Sequence, residues 1–246
     1  MSSVPPVIYK LVVPALLLLA ASGAVQAQSA APPNWRLDAS LYPYQHRVDN
    51  DVDFTFMLNG NLPGRFSYFS FTNLKGIATT GSARFDRSEQ NLRIRIVDGM
   101  PFDVNLQALF IDGDGNDFYQ AGLGWRINDT PSWEGFFDRI HFIWRATFHL
   151  KRWGTSNAAA DAWALEHFYR LTIPQWSDRF YLSGFHETTY NLDVPAGAAK
   201  RPVVTETQIG WRFWKDFHLV AEYRRNDFRV GDEHNLAVGL EFKARW

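Results

Sequence analysis

From His234 to Trp246 the chain alternates apolar with polar or small residues almost without interruption, and its final residue is an aromatic. Leu236, Val238, Leu240, Phe242, Ala244 and Trp246 fall on one face of an extended segment. Asn235, Ala237, Gly239, Glu241, Lys243 and Arg245 fall on the other, because strand side chains repeat with period two. A half-buried strand of a soluble protein shows the same alternation. At the end of an exported chain it fits better as the strand that closes a transmembrane barrel against the first, with its terminal aromatic at the membrane interface. Barrel-assembly machinery is then an expected partner, through the strand ending in Trp246.

Export is read from residues 1–27. Lys10 supplies a positive start, Leu11 to Ala21 form an apolar run broken only by Pro14, and Val25-Gln26-Ala27 offers small residues for cleavage. The run is too short for a permanent spanning helix, which needs about 20 apolar residues. The expected mature domain is therefore 28–246. The chain has no cysteine, which removes disulfides, thiolate metal sites and a lipoprotein anchor. Aromatic residues make up 16% and charged residues 21%, a mixture that suits an apolar outside and a wet inside. A net charge of -1 leaves no electrostatic footprint for nucleic acid.

Alternating runs recur from Trp35 onward and predict twelve antiparallel spans: 35–47, 51–60, 64–74, 84–96, 101–112, 117–127, 137–152, 162–174, 179–191, 202–214, 217–228 and 234–246. Short turns such as Val97-Asp98-Gly99-Met100 and Lys215-Asp216 alternate with longer connections such as Lys75 to Ala83. Short turns on the periplasmic side and longer loops outside are the asymmetry of outer-membrane barrels, and an even count puts both ends in the periplasm. The sheet must close, since an open edge in hydrocarbon leaves backbone groups unpaired. The fold class is thus an all-β, antiparallel transmembrane barrel in the outer membrane; the rival is a soluble exported sandwich or barrel.

Charge decides which way each span faces. An Arg turned to lipid near midplane costs about 2–4 kcal/mol, so the rows carrying several Arg must look inward. In the seventh span Ile140, Phe142, Trp144, Ala146, Phe148 and Leu150 are expected outside, with Arg139, Arg145, His149 and Lys151 inside. The eighth turns Glu166, Phe168 and Arg170 inward and the tenth Glu206 and Arg212. Extended to the other spans, the rule yields more inward bases than acids. The third and ninth spans stay open, because Phe66 and Tyr68 compete with Phe69 and Phe71, and Phe180 and Leu182 with Tyr181 and Phe185. The expected solute-lining set is Tyr42, Tyr44, Asp53, Arg126, Arg145, Glu166, Phe168, Arg170, Glu206, Arg212 and Glu222. Arg would hold solute oxygens, carboxylates its donors, and aromatic faces its ring. Trp35, Trp125, Trp153, Trp176 and Trp246 read as interface anchors.

Other motifs carry less. Asp112-Gly-Asp114-Gly-Asn116-Asp117 opens like a calcium loop but has no Gly at the sixth position and Leu123 where a closing Glu belongs, so it reads as an outer turn. Ser183 and His186 stand three apart on a strand and so point to opposite faces, against a nucleophile–base pair. His141 and His149 are eight apart, over about 25 Å of strand, too far to share a metal. No catalytic residue, metal or cofactor is expected.

Phe118-Tyr-Gln-Ala-Gly-Leu-Gly-Trp-Arg-Ile127, with its aromatic pair before a Gly-Leu-Gly core, resembles a middle strand of the nucleoside-specific channel-forming (Tsx-like) outer-membrane family. Ala162 to Tyr190 resembles that family's eighth and ninth strands, with Tyr169-Arg-Leu-Thr-Ile-Pro174 entering a short turn and Phe180 to Phe185 leaving it. The likeness extends in order and spacing over most of the mature chain. It implies a monomeric twelve-stranded barrel that passes nucleosides through a narrow lumen of aromatic and ionisable side chains. The expectation is a passive channel for a small polar solute, nucleosides among the candidates. A closed structural or adhesion barrel with a charge-paired lumen is the alternative, and an outer-membrane lipid hydrolase a third.

Overall fold

The computed structural model describes residues 35–43, 52–76, 81–112, 117–154, 162–175, 177–190, 199–228 and 233–245. The proposed signal segment, Tyr44, the centre of the Asp112–Asp117 motif, Trp176 and Trp246 lie outside them, as does the side chain of Tyr42.

The strands are β1 (Trp35–Pro43), β2 (Val52–Asn61), β3 (Phe66–Lys75), β4 (Arg84–Arg95), β5 (Phe102–Ile111), β6 (Phe118–Arg126), β7 (Phe142–Gly154), β8 (Trp163–Ile173), β9 (Ser177–Tyr190), β10 (Val203–Trp214), β11 (Phe217–Asn226) and β12 (His234–Arg245). Each pairs antiparallel with its neighbours, and β1 pairs with both β2 and β12, so the twelve-strand sheet closes into a barrel without an edge. Most boundaries fall within two residues of those read from the alternation.

Outside the seventh span, facing follows the expectation where it was made from charge. In β12 Asn235 is 3% exposed and Leu236 68%, Ala237 4% and Val238 59%. The apolar rows are therefore the exposed ones, and the polar rows crowd the centre. A soluble barrel has the opposite arrangement. Polar side chains that do point outward find partners on the same surface. Thr72 and Ser88 hydroxyls meet at 2.8 Å, the Tyr169 and Thr207 hydroxyls at 2.7 Å, and His186 Nε2 lies 3.1 Å from Thr188. A surface meant for hydrocarbon requires this pairing, because an unmatched polar group there has no water to turn to.

The two open strands are resolved by register. Phe69 pairs with Asn91 and Phe71 with Glu89, so these rings face inward while Phe66 and Tyr68 face out. Tyr181 pairs with Gly210 and Phe185 with Glu206, so they face inward as well, with Phe180 and Leu182 outside.

Two expectations for the seventh span are corrected. Residues Glu134–Ile140 form a short helix, α1, rather than the start of a strand, so Arg139 lies on the helix and not in the lumen. The Thr130 carbonyl accepts the amides of Trp133 and Glu134 at 2.7 and 2.9 Å, and Phe136, Phe137 and Ile140 then repeat at helical spacing. Phe137 packs against Phe142 and Trp144 on the outer surface, with ring centroids 5.9 and 6.4 Å apart. His141, in the left-handed region at φ 52°, ends the helix and turns the chain into β7. The second correction is Lys151. The β6–β7 register shifts between Ala121 and Gly122, so Lys151 pairs with outward Ala121 and faces out. Arg152 takes the inward place, pairing with Gln120. A bulge inserts one residue and reverses the faces beyond it.

The turns are built from residues that permit them. Gly99 carries φ +79° and the Met100 amide bonds the Val97 carbonyl at 3.3 Å; in the two-residue β10–β11 turn Lys215 takes φ +43°. The start of β1, the end of β12 and these short turns share one rim, here the turn rim; the longer connections share the other, the loop rim.

Candidate functional site

The wall of the lumen is the site. Period two delivers every second residue of twelve strands to it, and four groups of side chains meet there.

The first spans the ring near the loop rim. Arg87 on β4 reaches Glu206 on β10 at 3.4 Å, although the two strands stand on opposite sides of the barrel. Arg224 on β11 lies 2.8 Å from Glu206, 3.5 Å from Glu222 and 3.5 Å from Asp53 on β2. The Arg87 guanidinium also sits 5.0 Å over the Phe71 ring.

The second group lies beside it. His149 Nε2 is 3.3 Å from Glu166, and the donor atoms of His149, Glu166 and Glu187 all fall within 4.8 Å of one another. Arg152 holds Glu187 at 3.6 Å, donates to Gln120 at 3.1 Å and stacks 4.3 Å over Phe118. Glu89 on β4 accepts from the Asn91 amide at 2.6 Å and lies close enough to Glu166 and Glu187 to feel both charges. Oxygen and imidazole donors in this arrangement could hold a divalent cation.

The third group occupies the turn half. The Tyr181 hydroxyl donates to Gln208 at 3.0 Å and bonds Glu241, while Lys243 Nζ lies 3.9 Å and the Arg170 guanidinium 4.5 Å from its ring centre. Lys243 also pairs with Glu241 at 2.8 Å, and Arg36 with Asp38 at 2.8 Å. Gly210 makes this possible. A Cβ there would overlap the Tyr181 ring, which lies flat across the glycine to reach β12.

The fourth is Arg126, which bonds Asp103 at 2.5 Å, Asp129 at 2.7 Å and the Met100 carbonyl at 2.6 Å. It ties the turn rim together. Arg145 stands opposite it in register.

Of the expected lining, Asp53, Arg126, Arg145, Glu166, Phe168, Arg170, Glu206 and Glu222 are on the inner wall. Arg212 shares their face but pairs with Asp178 at the turn rim rather than in mid-lumen. The Tyr42 backbone pairs with Asp53, its side chain and Tyr44 being outside the described residues. Phe168 pairs across strands with Phe185, and it is 38% exposed although it faces the lumen, so open space adjoins this aromatic pair. Ser183 faces the lumen and bonds Gln208 at 3.5 Å, whereas His186 is on the outer surface, which separates them as a nucleophile and base.

Arg87, Glu89, Arg152 and Glu187 were missed. Arg87 and Glu89 share the parity of Arg93 and Arg95, which alone could have flagged them. Glu187 needed the facing of β9, and Arg152 needed the bulge.

No protein-family model matches the chain, and no curated protein matches it. Among solved structures, the NanC porin aligns with TM-score 0.52 at 10% identity, covering 85% of this chain and 100% of that one. The KdgM porin aligns with TM-score 0.48 at 10% identity over 84% and 98% of the two chains. Identity this low ties the chain to the fold of NanC and to nothing finer, and the KdgM match carries no argument. The porin-type twelve-strand barrel is shown; the nucleoside-specific family is not.

Proposed function

We propose that this chain is an outer-membrane channel that lets a small polar solute diffuse passively, with the turn rim in the periplasm and the loop rim outside. The observation that carries this reading is the inverted wall: apolar rows exposed all round, ionic and amide rows gathered inside. The outward rows suit acyl chains. The inner ones suit a solute that must exchange its hydration for guanidinium, carboxylate and ring contacts. Nucleosides stand first among candidate solutes, because Phe168 and Phe185 offer ring faces beside Glu206 and Arg145, and a base stacks while its edges hydrogen-bond.

A second reading is a non-conducting barrel, favoured by the Arg87–Glu206 pair, which bars the lumen in this conformation. Planar-bilayer recording of the purified chain separates the two. Discrete conductance steps, together with nucleoside-driven swelling of proteoliposomes that Phe168→Ala slows, support the channel. Silence from the wild type and from Arg87→Gln alike supports the closed barrel.

A further inference from the structure

The inward charges are sorted by depth. In the loop half the described wall carries Asp53, Asp86, Glu89, Glu166, Glu187, Glu206 and Glu222 against Lys75, Arg87, Arg152 and Arg224. In the turn half the proportion is reversed: Arg36, Arg93, Arg126, Arg145, Arg170 and Lys243 stand against Asp38, Asp103 and Glu241. Histidines are left out of both counts; at the turn rim Arg95 and Arg245 add to the basic side, Arg212 being paired with Asp178. The ion pairs within each half do not cancel the excess, since seven carboxylates stand against four cations in one half and six cations against three carboxylates in the other. The lumen is therefore acidic towards the loops and basic towards the turns, with the change of sign near mid-wall.

We infer that the channel rectifies: it conducts better when the loop side is positive than when it is negative. The inference rests on the channel reading above. Fixed carboxylates hold mobile cations in the loop half, and fixed guanidinium groups hold mobile anions in the turn half. A positive loop side drives potassium inward through the acidic half and draws chloride outward through the basic half. Both carriers then accumulate where the halves meet, and conductance is high. The opposite voltage pulls both away from that junction and leaves it depleted. Screening sets the condition: fixed charges act over about 10 Å at 0.1 M salt and only about 3 Å at 1 M.

The test is single-channel recording of the full chain in a phosphatidylcholine bilayer with potassium chloride. Because the chain has no cysteine, Ser82→Cys on the loop side, modified by an impermeant thiol reagent added to one chamber, fixes the orientation of each channel. At about 0.1 M salt the current with the loop side positive is expected to exceed the reverse current by about twofold or more, and at 1 M the ratio should approach one. Glu89→Gln with Glu187→Gln should weaken the asymmetry and shift selectivity towards chloride. Arg93→Gln with Arg145→Gln should weaken it as well and shift selectivity towards potassium. Equal currents at both polarities in low salt, or the same selectivity shift from both pairs, would overturn the inference while leaving a channel. Absence of conductance from every variant would instead overturn the channel reading.

Discussion

Arg87 on β4 and Glu206 on β10 form an ion pair 3.4 Å long between strands six places apart in a ring of twelve. One long side chain thus divides the lumen, and its neighbours Arg224 and Phe71 hold it in place. Arg87→Gln shortens the reach and removes the charge, while Glu206 keeps Arg224. Conductance is expected to rise by about twofold through the widened waist. An unchanged step size in single-channel records would mean that the narrowest point lies elsewhere.

Gly210→Ala places a methyl inside the Tyr181 ring and should destabilise the barrel by about 1–3 kcal/mol, the range for overpacking. Gly135→Ala is the control. A Cβ there meets nothing within 4 Å, and alanine favours helix α1 by about 0.8–1.0 kcal/mol over glycine. Urea unfolding in detergent, followed by tryptophan fluorescence, should move in opposite directions for the two variants.

Lys151 and Arg152 are neighbours with different fates. Arg152→Leu leaves Glu187 without its guanidinium in a crowded interior and should cost about 3–5 kcal/mol. Lys151→Leu merely adds an apolar group to the exposed face and should be close to neutral. Comparable losses in the same unfolding assay would contradict the outward placement of Lys151.

Asp227, just beyond β11, gives a pH signature. Burial pushes its carboxyl up, but the hydrogen bond and charge of Arg225 and the amide of Val203 outweigh that and hold it below the ordinary value. A carboxyl depressed on folding stabilises above its unfolded pKa, and that contribution fades as pH falls through the folded value. Asp227→Asn should therefore be less stable than wild type at neutral pH, by less than about 1 kcal/mol since Arg225 is 44% exposed, and the gap should close in acid. A gap independent of pH would assign the effect to packing.

Charge made most of the fold legible. The rows of β10 and β12 carry Arg and Glu on one side only, so both strand and facing could be read from spacing. β3 and β9 lacked that marker: aromatics lie on both faces, and only pairing with Asn91 and Gly210 tells which rings look inward. The helix was hidden because Phe137, Arg139 and His141 mimic alternation, while the signal that matters, Thr130 accepting two amides, is a matter of backbone geometry. Half of the waist was hidden for a similar reason. Pairing between β4 and β10 is set by curvature of the closed sheet, which no local pattern records.

The bulge in β7 makes that strand two short segments joined end to end, each keeping its own phase. Removing Leu150 would take out the extra residue and leave one continuous phase, with Lys151 still outward and Arg152 still inward beside Glu187. Loss of a single codon in the regular part of the strand, between Trp144 and Phe148, would instead turn over every side chain on one side of the gap. The same change in a loop would pass unnoticed.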